Sequence, residues 1–182
     1  ADLAKYTDMH IFAQAFPERF FQMGMAEQLL MGAAAGLAHE GFMPFATTYA
    51  VFAARRAYDF IHQVIAEENL NVKIACALPG LTTGYGPSHQ ATEDPAIFPG
   101  MPNLTIIDPC DAVDVEQAVP AMAAHNGPVY MRLPRGQVPV VLDAGRVEVG
   151  QVPAVVDDPL GIRVGEADSL ERRELERRLP VG

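Results

Sequence analysis

An α/β domain around a mainly parallel sheet flanked by helices is the fold class this sequence predicts. Two observations carry it: short apolar runs alternate with segments of helical period, and the connections between them are brief and marked by Gly and Pro. In chain order, residues 20–23 read as a short strand, and 25–40 as a helix of small residues ending near Gly41. Residues 43–46 read as a second strand. A long helix is expected over 49–68, with Phe52, Tyr58, Ile61 and Ile65 among its apolar positions. Residues 72–77 read as a buried strand that feeds a Gly-rich loop over 79–87. Another strand, 104–107, is stopped by Asp108 and Pro109; a helix over 113–124 and a strand over 129–133 complete the alternation. In such sheets ligands gather beyond the carboxyl ends of the strands. Chemistry is therefore expected at Glu27, Tyr49, the 79–90 loop and Arg135, each of which follows an expected strand.

Residues 1–142 are expected to form one domain, and 143–182 a C-terminal tail or linker. Within the latter, EADSLERRELERRL (166–179) carries charge pairs at helical spacing with Leu170, Leu175 and Leu179 on a narrow stripe, the pattern of a solvated helix or frayed tail. The 182-residue chain is long enough to bury a sizeable core. Its net charge of -10 argues against phosphate-backbone binding, because no basic face is offered to nucleic acid. Cys76 and Cys110 are too few for a disulfide framework and read as small buried hydrophobes. With no signal peptide and no bilayer-length apolar run, a cytoplasmic protein without a membrane partner is expected. The chain opens at Ala1 without Met, as a fragment or processed form would.

Glu27 is the one carboxylate in FFQMGMAEQLLMGAAAGLA (20–38). At a helix start the exposed amides and the macrodipole favour an acid whether or not it is catalytic, so the pattern leaves both roles open. His89 lies in GYGPSHQ, where a loop histidine suits acid–base or substrate-binding work, or simply orders the loop. His10, His39, His62 and His125 fall on or near helices and read as solvated or capping. Tyr49 and Phe52 share a helix face that Arg55 extends; such aromatics grip a planar ligand or pack as core. No dinucleotide fingerprint, phosphate loop or nucleophile elbow is present. Pattern alone thus reaches an α/β ligand-binding domain.

The ordered set RFFQMGMAEQ, FATTYAVFAARRAYDFI, GYGPSHQATED and IIDPCDAVDVEQA resembles the pyrimidine-binding domain of transketolases, and most nearly the C-terminal subunits of split, two-subunit transketolases. The resemblance spans residues 1–142. It implies thiamine diphosphate bound at a subunit interface, with the family's cofactor-activating acid at Glu27: a carboxyl group that hydrogen-bonds N1′ of the aminopyrimidine and promotes its imino tautomer. It places the aromatic stacking position at Tyr49 and Phe52, with Arg55 beside them and Asp2 as an acid near the cofactor. It matches His89 to a histidine facing the donor or acceptor sugar and Arg135 to an arginine binding a sugar phosphate.

The sequence departs from that pattern at Pro79, where relatives carry a substrate-binding His, and at Tyr85, which replaces an acidic pair. No motif for diphosphate and Mg²⁺ is found, so the resemblance implies that a partner subunit supplies those contacts, in an α2β2 assembly. The function it implies is transfer of a two-carbon ketol unit between carbonyl or sugar-phosphate substrates, active only with that partner. The alternatives are a 2-oxoacid dehydrogenase β-like subunit and a non-catalytic scaffold subunit, which the set Glu27, Tyr49, Phe52 and His89 disfavours.

Overall fold

The computed structural model describes residues 3–136 and 138–141; Asp2 and the expected tail over 143–182 lie outside the described residues. Four parallel strands, β1 (Phe45–Tyr49), β2 (Lys73–Ala77), β3 (Thr105–Ile107) and β4 (Val129–Leu133), form one sheet in the order β1-β2-β4-β3. The register pairs Phe45 with Lys73, and Lys73 and Thr105 each with Val129. Strand β2, between β1 and β4, is buried at every position, as a central parallel strand must be when helices cover the sheet.

Alternation along the strands divides the core in two. Ile74, Cys76 and Tyr130 join Met31, Val51, Ile61, Ile65 and Phe98 on one face. Ala75, Val129 and Met131 meet Ala118 and Met122 on the other. The first face is covered by α2 (Glu27–His39), α3 (Ala50–Arg56) and α4 (Tyr58–Ile61). The second is covered by α6 (Ala112–Ala124), whose start is capped by Asp111 accepting from the Asp114 amide at 2.9 Å. Two short helices, α1 (His10–Ala15) and α5 (Asp94–Ile97), complete the set.

Three expectations are corrected. Residues 20–23 join no ladder; the chain reaches α2 through Gly24 at φ 69° with no strand beside it, so Glu27 does not follow a sheet strand. The long helix over 49–68 is divided. Tyr49 ends β1, α3 stops at Arg56, and Ala57 (φ -107°, ψ 10°) bonds back to the Phe52 carbonyl five residues earlier. After α4 a second wide turn runs over His62–Ala66; such i→i−5 turns absorb a residue that a regular helix would misplace. Finally, Cys76 is buried as expected, but Cys110 is exposed in the turn before α6.

Candidate functional site

Glu27 is the first residue of α2 and is 3% exposed. A buried carboxylate needs a partner. It finds one in Arg56, whose Nη1 donates toward Oε1 and Oε2 at 3.4 and 3.3 Å. The Arg56 guanidinium also lies over the Phe52 ring, 4.0 Å from its centroid. Phe52 in turn stacks on Tyr49, centroids 5.7 Å apart and planes at 26°. One acid, one cation and two stacked rings therefore form a continuous surface at the carboxyl end of β1.

His89 closes this surface from the loop. Its ring stands edge-on to Phe52 at 5.2 Å and to Tyr49 at 6.2 Å, with Tyr85 at 5.2 Å on its other side. Nδ1 lies 2.9 Å from Ser88 Oγ, which leaves Nε2 as the nitrogen outside that bond. Behind Tyr49 sits Arg135; burial raises the Tyr49 phenol above its ordinary range, and the Arg135 guanidinium opposes that shift. Arg135 also lines a cavity of about 320 Å³ at the ends of β2 and β4, together with Tyr6, Asp8, Asp111, Leu133 and Val138. This is where a parallel sheet presents ligand sites.

The loop that carries His89 is held at several points. Leu78 leaves β2 at φ 59°, a strained conformation for a bulky side chain. The Gly80 amide donates to the Ala91 carbonyl at 2.7 Å, drawing the two ends of the loop together. Arg55 bonds Glu93 through two nitrogens and reaches the carbonyls of Pro87 (3.2 Å) and Gln90 (3.3 Å), which flank His89. That bonding pulls the Glu93 carboxyl down to about 2. The next acid, Asp94, is fully buried and accepts from the Tyr130 hydroxyl at 2.8 Å and Arg132 Nε at 2.9 Å. Arg132 in turn is paired with Asp108.

Of the residues expected from sequence, Glu27, Tyr49, Phe52 and His89 come together, and Arg135 adjoins Tyr49. Arg55 faces the loop. Asp2 lies outside the described residues. Sequence reasoning passed over Arg56, although it stands four residues after Phe52 and so shares its helix face. It also passed over the Asp94–Arg132 pair, whose members are 38 residues apart and give no local signal. Among the described residues no group of three or more His, Cys, Asp or Glu could hold a metal ion, and no helix is long and apolar enough to cross a membrane.

The family described as "Transketolase, pyrimidine binding domain" matches residues 1–141. A transketolase family protein of Sinorhizobium fredii is 70% identical over 86% of this chain and 46% of its own length. A transketolase C-terminal section of Methanocaldococcus jannaschii is 40% identical over 86% of this chain and 51% of its own. Among solved structures, a split-gene transketolase described as an inactive β4 tetramer superposes with a TM-score of 0.66 at 50% identity, over 73% of this chain and 42% of that one. The chain thus spans about half the length of the curated relatives it matches.

Proposed function

This chain belongs to the transketolase pyrimidine-binding domain family, and from that premise we propose that it is the pyrimidine-binding subunit of a split, thiamine diphosphate-dependent transferase. The reaction proposed is movement of a two-carbon ketol unit between carbonyl compounds. The observation that carries the reading is the buried Glu27 carboxylate set beside the stacked Tyr49–Phe52 pair.

Those residues fit one half of the cofactor. A flat heterocycle with a ring nitrogen needs an aromatic face and an acid at its edge, and Phe52 and Glu27 offer both. When bound, thiamine diphosphate supplies the electron sink that carbon–carbon bond cleavage and formation require. Glu27 holds a proton at N1′ and Phe52 fixes the ring plane. His89 stands at the rim with Nε2 free of the Ser88 contact, suited to binding a substrate hydroxyl or moving its proton. Arg135, beside Tyr49, offers a cation to a phosphate or carboxylate at the substrate's far end.

The other half of the cofactor lies with a partner. The hard oxygen donors that Mg²⁺ takes belong, in this reading, to a subunit carrying the diphosphate-binding domain, in an α2β2 assembly. Exposed apolar side chains near Glu27, namely Phe21 (57%), Met25 (71%) and Leu29 (58%), support a protein contact at this edge.

Calorimetric titration with thiamine diphosphate and Mg²⁺, on this chain alone and then with the candidate partner, tests the proposal. Heat of binding only in the mixture is the expected result, and Glu27→Gln should cut turnover of the assembled enzyme by roughly 100-fold or more. Subunits that associate without binding cofactor would make this chain a scaffold instead.

A further inference from the structure

Arg56 meets, with its own side chain, both demands that the site makes of a flat nitrogen heterocycle. Its guanidinium is planar and delocalised, with N–H donors along its edge. Its Cζ lies over the Phe52 ring, 4.0 Å from the centroid, and Nη1 reaches both oxygens of Glu27. We propose that Arg56 occupies the aminopyrimidine seat in the ligand-free protein and withdraws when the heterocycle binds, so that this one side chain sets the affinity of the half-site. The inference rests on the reading of Glu27 and Phe52 given above and adds a residue to it.

Three features make the occupancy reversible. The pair is lopsided: the Glu27 side chain is 3% exposed, whereas that of Arg56 is 48% exposed and has solvent to retreat into. The contact is long and made through a single nitrogen, at 3.3–3.4 Å, unlike the short bidentate fork that arginine makes with a carboxylate when the pair is built to last. Arg56 is also the last residue of α3, directly before the wide turn at Ala57, where the backbone is no longer held by regular helical bonding. Meanwhile a buried carboxylate cannot be left bare. With Arg56 withdrawn the carboxylate favours any other N–H donor that reaches it, and the ring nitrogen of the heterocycle is such a donor once protonated, so binding draws the protein toward the open seat.

The test has a ligand-free part and a bound part. In the full chain without cofactor, thermal unfolding of Arg56→Ala, Glu27→Gln and the double variant should show coupling between the two positions; strictly additive shifts would overturn the pairing. In the assembled enzyme, Arg56→Ala should bind thiamine diphosphate, read by calorimetry, about fivefold tighter than the wild type, as follows if the open seat is populated about a fifth of the time. Arg56→Gln, which keeps most of the side-chain volume, guards against a folding defect and should shift affinity the same way. Unchanged or weaker binding by both variants, with the wild type binding, overturns the inference and leaves the proposed function standing. Binding by the variants but not by the wild type supports both, and binding by neither overturns both.

Discussion

Arg55 and Arg56 are neighbours in sequence, yet the two sides of α3 they serve are built to different purposes. On the loop side, Arg55 joins Glu93 through two nitrogens and adds two backbone carbonyls, so one guanidinium ties down the segment on either side of His89. On the α2 side, Arg56 meets the buried Glu27 through one nitrogen at more than 3.2 Å. The more exposed acid, Glu93, is the better bonded and the buried one, Glu27, the worse. Burial ordinarily demands the reverse, because an ill-satisfied buried charge is costly. The difference separates a segment held in shape from a contact that, in the proposed function, a ligand replaces. The loop that presents His89 is tied at several points, whereas the Glu27 carboxylate keeps a single long contact, the one proposed above to give way on binding.

The most damaging way to break this comparison is to cut the deeper anchor of the loop. Asp94 is wholly buried and relies on Tyr130 and Arg132. Arg132→Met leaves that carboxylate without its cation and should destabilise the chain by about 3–5 kcal/mol, the usual cost of stranding one member of a buried pair. Urea unfolding measures it. A loss below about 1 kcal/mol would mean that Asp94 holds the loop without help from charge. A gentler cut is Arg55→Met. Here the fold should survive, because both members of the pair reach solvent and such pairs contribute little to stability. His89 should lose its fixed position, and turnover of the assembled enzyme should fall roughly 10- to 100-fold with cofactor affinity little changed. Equal losses in cofactor binding and turnover would place Arg55 in the cofactor site rather than on the loop.

Much of this architecture was legible in the sequence, for reasons that differ by element. The strands over 72–77 and 129–133 were readable because they are buried on both faces and so are almost continuously apolar. The helix after β3 was readable from its period, and Asp111 caps it. Residues 20–23 carried the same apolar signal with no strand beside them to pair with, and pairing is not a local property. The division of the 49–68 helix turns on a backbone bond between Ala57 and Phe52 that no side-chain period encodes. At the site, Glu27 stood out as the sole acid in an apolar run, and Tyr49 and Phe52 by their spacing. The arginines were harder. Which of two adjacent cations faces an acid depends on where α2 and the loop come to lie, and that is settled only by the folded sheet.

A third cation sharpens the contrast, because it is buried and, among the described residues, bonded to carbonyl oxygens rather than to a carboxylate. Lys73, at the start of β2, has no exposed surface, and its Nζ donates to the carbonyls of His125 and Gly127, each at 2.7 Å. Burial lowers its pKa to about 8. Between that value and the ordinary lysine range, the unfolded chain holds a proton that the folded one has released. The Lys73 contribution to stability therefore rises as pH increases from about 8 toward 10.5, and is lost on the way down. The slope should be at most about 1.4 kcal/mol per pH unit, since one proton is involved. His125, whose pKa is lowered by burial and by the Lys73 charge, titrates on the acid side of this window. The Cys76 thiol and the Tyr130 phenol, pushed up by burial, act within and above it in the opposite sense, because the unfolded chain releases their protons first. Urea midpoints of the wild type, taken relative to those of Lys73→Met so that the opposing thiol and phenols cancel, should climb across pH 8 to 10. A flat difference between the two profiles would mean that two carbonyl oxygens satisfy a buried ammonium as fully as Glu93 satisfies Arg55, and that what sets Glu27 apart is its single long contact rather than its burial.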